Sequence, residues 1–429
     1  MAYQVVSALI NSLRSGALPL QDYLAEIEST YKEREPTVCA FLSEARRFSR
    51  LRRKAIVIER ENPQPINRPP LYGIPIGVKD IFRVDGFETH AGSKLPAEVL
   101  KGREARVVTL LKEAGCLIMG KTQTTEFAYF AAGPTRNPHA PDHTPGGSSS
   151  GSAAAVAAGL CPIALGTQTI GSIIRPAAYC GVVGYKPSYD RISKAGVIPL
   201  APSLDHVGFF AYEVPAVELV ASLLCPDWHL TVSESLPVLG IPKGPYLEHV
   251  TSEGQENFVE SIDRLNKAGC IVKEVQTMQN FCDIVERHGL ILAAEAAQVH
   301  ATWFSEFGEL YHPKTADLIR EGRIVSVGEL AEALTGRQQL RRELTSLMDD
   351  HSIDLWVSPA ATGFAPKGLE NTGDPVMNLP WTHSGLPTVT IPSGKNAAGL
   401  PLGLQIVGRW YEDERLLDWS IELERIITK

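Results

Sequence analysis

Apolar positions along the chain change period from one stretch to the next. Val5, Val6, Leu9, Ile10 and Leu13 recur three and four residues apart, and Tyr23, Leu24, Ile27 and Tyr31 continue the spacing. That period predicts a helical arm over 1–65, closed by the Pro-rich connector "ENPQPINRPP" at 61–70. Beyond it, from residue 66, short apolar runs alternate with helical stretches. "YGIPIGVKDIF", "CLIMGKT", "CPIALGT" and "GVVGYKP" predict buried strands, while Glu104–Ala114, "TTEFAYF" and the segment from Gly151 predict helices. The stretch 205–350 is richer in helix (251–268, 279–301 and 326–350), with strands at "PVLGIP" and "CIVKEV". Strand texture returns at 354–360, 387–394 and 402–408 before a last helix at 412–427. The reading is α/β: one large core over 66–429, a mixed twisted sheet covered by helices on both faces, with 205–350 as a helix-rich insertion or substrate layer.

Composition narrows the function classes. With 44% hydrophobic and 21% charged residues in 429, the chain is ordinary globular protein. A net charge of −8 gives no footing for nucleic acid. One basic cluster, Arg46, Arg47, Arg50, Arg52, Arg53 and Lys54, reads as the solvated face of a helix. Seven cysteines form no CxxC pair and no Cys/His ligand spacing, so they read as reduced thiols and no metal site is expected. The most apolar run, Ala153–Leu165, is too short to cross a membrane, and the N-terminus lacks the pattern of a leader peptide. The expectation is a cytoplasmic protein without nucleic-acid or membrane partners; the N-terminal helices offer a face on which a homodimer could pack.

The candidate chemistry lies in two Gly/Ser loops and one lysine. "TPGGSSSGSAAAVAAG", Thr144–Gly159, contains G-x-S-x-G at Gly147–Gly151, but the polar, Pro-rich residues before it leave no strand for a nucleophile elbow. No Lys-Ser/Thr follows the glycines, which excludes a P-loop. The stretch is a loop feeding a helix N-terminus, where N–H groups are unpaired and side chains small. A serine nucleophile needs a base. His139, His143, His206 and His383 sit in no pattern that pairs them with a serine. Lys79, inside the apolar strand "GIPIGVKDIF", has two readings: a strand-end lysine paired with Asp80, or a buried amine whose pKa falls until it can act as a base. In "LGTQTIGSIIRPAAYCGVVGYKP" Ser172 follows Gly171 in a turn after a predicted strand, which has two readings: a plain Gly-containing strand connection, or convergent N–H groups forming an oxyanion hole.

Taken together and in this order, these segments resemble the amidase signature family, and most of the chain shares in the resemblance. "LYGIPIGVKDIFRVDGFETHAGS", "LLKEAGCLIMGKTQTTEFA", "TRNPHAPDHTPGGSSSGSAAAVAAGL", "SLDHVGFFA", "GLPTVTIPSG" and "GLPLGLQIVG" carry it. The resemblance implies the amidase signature fold and a Ser–Ser–Lys triad. Lys79 is then the base, Ser148 the bridging serine after a cis Gly147–Ser148 peptide, and Ser172 the nucleophile. The N–H groups of Thr169, Ile170, Gly171 and Ser172 form the oxyanion hole. No metal or cofactor is implied. Gly147, Ser149 and Arg175 are the candidate substrate-binding residues, with Ser149 and Ser150 also expected to hold the loop by local bonds.

This chain departs from the family pattern around the nucleophile: Gln168 replaces Asp, Ile170 a Gly, and Ile174 the usual Arg, with Arg175 one position later; Ser150 stands for a Gly in the bridging loop. A β-branched Ile170 is expected outside the left-handed region. Arg175 either clamps a substrate carboxylate, which suits a short acid-bearing amide, or makes a structural salt bridge. His206 and His383 read as packing residues near the pocket. The function expected is hydrolysis of a small amide to carboxylate and ammonia; the alternative is a glutaminase-type subunit of an amidotransferase assembly. A catalytically silent binding protein fits poorly with an intact Lys79, Ser148 and Ser172.

Overall fold

The computed structural model describes residues 6–429; Val5, named above among the helical positions, lies outside them. Ten strands form one sheet: β1 Pro75–Lys79, β2 Leu117–Thr122, β3 Ile163–Gln168, β4 Val183–Lys186, β5 His206–Ala211, β6 Leu239–Lys243, β7 Val272–Gln276, β8 Leu355–Pro359, β9 Thr388–Lys395 and β10 Pro401–Val407. Their order is β2-β1-β3-β5-β4-β9-β10-β8-β6-β7. The β2-β1-β3 and β8-β6-β7 ends are parallel and the middle is antiparallel. Every residue of β1 through β5 is buried, so both faces of that part of the sheet are covered. The 205–350 stretch contributes β5, β6 and β7 to this same sheet. Leu9 and Leu13 from the first helix and Leu423 and Ile427 from the last share one apolar core.

The predicted helix at "TTEFAYF" does not form. Only Glu126–Ala128 makes a tight 3-10 turn, and Phe127 (φ 47°) and Ala128 (φ 62°) take the left-handed region. Two such residues cost about 1–2 kcal/mol each. Tertiary contacts override local propensity here: the Glu126 carboxylate accepts the N–H of His312 and the Thr315 hydroxyl, and the Phe127 ring stacks on Tyr311 with centroids 5.3 Å apart.

Nor is the basic cluster simply a solvated face. β2 is an edge strand, and its outward carbonyls need donors. Arg50 supplies them to Ile118 and Met119 while pairing with Glu44. Arg47 is buried, its guanidinium over the rings of Tyr31 and Phe41.

The helices Phe281–Val299 and Pro313–Gly322 approach so closely that a Cβ on Gly322 would lie 1.8 Å from the Ala293 carbonyl oxygen. Gly322→Ala is therefore expected to force the pair apart and to destabilise the fold by about 1–3 kcal/mol, read as a lower midpoint in urea denaturation.

Candidate active site

β1 and β3 lie side by side, and their C-terminal ends deliver Lys79 and Thr167 to one point. The Lys79 amine is fully buried, 2.8 Å from Ser148 Oγ and 2.8 Å from Thr167 Oγ1. Among the described residues no carboxylate is hydrogen-bonded or ion-paired to it. Burial holds its pKa well below the ordinary lysine value, and the charge of Asp205 opposes that shift only in part. Asp80, the alternative partner, is turned away: its carboxylate lies 2.5 Å from Lys121 Nζ and accepts the N–H of His90.

Ser148 follows a cis Gly147–Ser148 peptide, the geometry the family resemblance implies. Its loop is held from below. Ser149 Oγ donates to the Thr167 carbonyl and accepts the Thr167 N–H, while Ser152 Oγ donates to the Leu165 carbonyl. The Ser149 hydroxyl therefore faces β3, and Ser149 is not among the residues lining the cleft. Gly147 is likewise outside the pocket wall; its carbonyl accepts from Arg175 Nη2 at 2.7 Å. The expected local bond of Ser150 does not form, for its buried hydroxyl has no partner among the described residues.

Ser148, Thr169, Ile170, Gly171, Ser172 and Arg175 line one small cleft, closed by Ala128–Phe130, Leu200, Thr372 and Pro375. Its free space is about 10 Å³, room for a single water. Ile170 stays outside the left-handed region as expected. Gly171 is obligatory: a Cβ there would lie 2.3 Å from Asn378 Oδ1. Arg175 is 2% exposed, and burial brings its pKa down to about 10, so it keeps its charge at neutral pH. Its Nη2 also donates to Thr372 Oγ1 at 3.0 Å, while Nε and Nη1 have no partner among the described residues. Among the described residues no carboxylate forms an ion pair with it, although the charge of Asp374 favours its protonated form.

A second cavity of about 230 Å³ adjoins the cleft, sharing Ala128 and Leu200 and reaching Thr167, Asp205 and His206. Asp205 accepts from Thr169 Oγ1 at 2.6 Å, and burial raises its pKa to about 6. His206 Nδ1–H donates to the Leu204 carbonyl at 2.6 Å, and His383 is buried outside the cleft. His139 lies against the Cys180 carbonyl and His143 against Asp142, away from Ser172.

Sequence reasoning missed Thr167, Asp205, Thr372 and Thr382 as parts of the site. Thr167 and Asp205 stand within the quoted "CPIALGT" and "SLDHVG", so their nearness to the lysine and the second loop was the available signal. Thr372 and Thr382 are some two hundred residues from Ser172 and carried none.

Comparisons with known proteins identify the family and the fold. The amidase family model matches residues 20–417, and the chain belongs to the amidase family. It is 31% identical to the A subunit of the glutamyl-tRNA(Gln) amidotransferase of Synechococcus sp., over 94% of this chain and 92% of that protein. It is 32% identical to the corresponding subunit of Methanospirillum hungatei, over 83% of this chain and 93% of the other. Among solved structures, an amidase superposes with a TM-score of 0.88 at 30% identity, covering 98% of this chain and 99% of its own. The peptide amidase of Stenotrophomonas maltophilia, at 23% identity and TM-score 0.83, shares the fold. The protein is an amide-hydrolysing enzyme.

The buried Asp80–Lys121 pair gives a test of the scaffold beneath the cleft. Lys121→Met leaves the buried Asp80 carboxyl without its ion-pair partner, and urea denaturation should show a loss of about 3–5 kcal/mol.

Proposed function

We propose that the enzyme cleaves small amides to a carboxylate and ammonia through an acyl-enzyme on Ser172. The observation that carries this reading is the Lys79 amine, buried with no carboxylate in contact and hydrogen-bonded to Ser148 at 2.8 Å in the wall of the cleft that holds Ser172. Neutral Lys79 takes the proton of Ser148 as Ser148 takes that of Ser172, and Ser172 Oγ bonds to the amide carbon. The carbonyl oxygen becomes an oxyanion facing the N–H groups of the Thr169–Ser172 loop. Collapse breaks the C–N bond, and the proton returns through Ser148 to the leaving nitrogen as ammonia departs. Water then attacks the ester by the same relay and frees Ser172 and the acid. Base, acid and nucleophile all come from this chain's side chains. The seven free thiols fit a reducing compartment, and we place the enzyme in the cytoplasm.

Lys79→Ala should lower kcat by about 10²–10⁴-fold and Ser172→Ala by at least about 10³-fold, with folding unchanged by circular dichroism. Because the active amine is the uncharged one, kcat/KM falls as pH drops through the lysine's pKa. Burial places that limb well below the ordinary lysine range. A pH profile in which the residual activity of Lys79→Ala keeps the same acid limb would count against the assignment.

The substrate we favour bears an acid. Arg175 lines the cleft, and two unpartnered donors on its buried, charged guanidinium match a carboxylate. A second reading, the glutaminase part of an amidotransferase, is favoured by the names of its 31% and 32% identical relatives. Ammonia release decides between them, measured on dicarboxylic monoamides, neutral amides of equal length, and glutamine. We expect the monoamides to lead, and Arg175→Ala to reduce their advantage over neutral amides by roughly 10–100-fold. Activity on glutamine alone would favour the amidotransferase reading.

A further inference from the structure

The loop that would hold the oxyanion contains an isoleucine where the family pattern has a glycine, so something must set the direction of its peptide groups. In a planar trans peptide the C=O and the following N–H point opposite ways, so an acceptor turned into the protein aims the next N–H outward. The Ile170 carbonyl accepts from Thr382 Oγ1 at 2.5 Å. The Gly171 carbonyl accepts from the Arg175 N–H at 3.1 Å, the start of the Ile174–Cys180 helix. The N–H groups of Gly171 and Ser172 are thereby turned away from Thr382 and from that helix, and among the described residues no acceptor takes either of them.

Thr382 has one proton to give and two carbonyls in reach, Ile170 at 2.5 Å and Asn378 at 3.2 Å. The Asn378 carbonyl already receives the Thr382 N–H within the helix Leu379–Ser384, which leaves the shorter bond to Ile170. Gln168 settles the hydroxyl from the other side: its Nε2 donates to Thr382 Oγ1 at 2.9 Å and occupies a lone pair. The same side chain's Oε1 accepts the N–H groups of Ile173 and Ile174, tying the amide to the residues after Ser172. An aspartate in place of Gln168 could accept those two N–H groups but could donate nothing to Thr382. Both side chains are fully buried, and neither lines the cleft.

We infer that Gln168 and Thr382 are positioning residues that together aim the Gly171 N–H at the oxyanion through the Ile170 carbonyl. The inference rests on Ser172 being the nucleophile. It also makes two departures in the motif coherent: Gln168 and Ile170 belong with a threonine far along the chain, and the hole is built by anchoring the isoleucine's carbonyl.

The test measures acyl transfer from p-nitrophenyl acetate by wild type, Ser172→Ala, Thr382→Val, Thr382→Ser and Gln168→Glu, each with its thermal midpoint. Losing one oxyanion donor costs about 10²–10³-fold in kcat, and a donor left in place but free to turn should cost roughly 10–100-fold. We expect Thr382→Val to lose that much kcat with KM changed less than about threefold, Thr382→Ser to restore it, and Gln168→Glu to resemble Thr382→Val. Gln168→Glu keeps the acceptor for Ile173 and Ile174 and replaces the donor by an oxygen that competes with the Ile170 carbonyl for the Thr382 proton, so it carries the test if Thr382→Val does not fold. Wild-type kcat in a folded Thr382→Val or Gln168→Glu, with Ser172→Ala inactive, overturns this inference alone. Turnover retained in Ser172→Ala, or absent from the wild type, overturns the nucleophile assignment and this inference with it.

Discussion

A lysine amine held in the interior with no carboxylate against it is the constraint around which this molecule is arranged. Removing an ammonium from water costs several kcal/mol unless it is paired or gives up its proton. The fold offers Lys79 only two hydroxyls, Ser148 and Thr167. It also removes the neighbouring Asp80 by giving it Lys121. β1 ends at Lys79 and Asp80 is the first residue of the turn that follows, so a single step along the backbone separates an ion pair from an amine inclined to be neutral. The sheet order serves the same end, since β1 and β3 must be neighbours for Thr167 to reach the lysine.

Around that point the structure uses backbone more than charge. The bridging-serine loop is held by Ser149 and Ser152 on β3, and the second loop by Gln168, Thr382 and the start of the Ile174–Cys180 helix. Arg175 stands between the two loops, bonded to the Gly147 carbonyl of one while its own N–H takes the Gly171 carbonyl of the other. A side chain proposed to read the substrate is thus also mortar between the loops. For that reason the ratio between substrates, and not activity alone, reports its recognition role.

Much of this was legible because the signals were local. Strands such as "CLIMGKT" and "LGLQIVG" are short apolar runs bounded by turns, and they appear as β2 and β10 within a residue or two. The long periodic segments 251–268 and 326–350 appear as helices Ser252–Lys267 and Val327–Asp350. Lys79 stood out as a charge in an apolar strand and Ser172 as a serine in a Gly-containing turn, but their roles, and the choice of Ser148 among its neighbours, came only with the family resemblance. What failed depended on distant partners. "TTEFAYF" has helical spacing, yet Glu126 and Phe127 are claimed by His312, Thr315 and Tyr311, nearly two hundred residues on. Ser149 looked like a pocket residue because its neighbour is one, and only the position of β3 shows that its hydroxyl points the other way. Whether Arg175 had an acidic partner was a question about three dimensions that periodicity does not address.

The left-handed pair Phe127–Ala128 has a consequence for how such an enzyme can change over generations. Ala128 walls the cleft, but what keeps it there is Glu126, anchored on the backbone of His312 and the hydroxyl of Thr315. The shape of the cleft is therefore written partly in the helix Pro313–Gly322, which belongs to the helix-rich stretch and not to the strands bearing the lysine and serines. Drift in that helix can reshape what fits beside Ser172 while the reacting groups remain untouched. A lineage could then acquire new amides by editing a distant brace, with each intermediate still active on the old one.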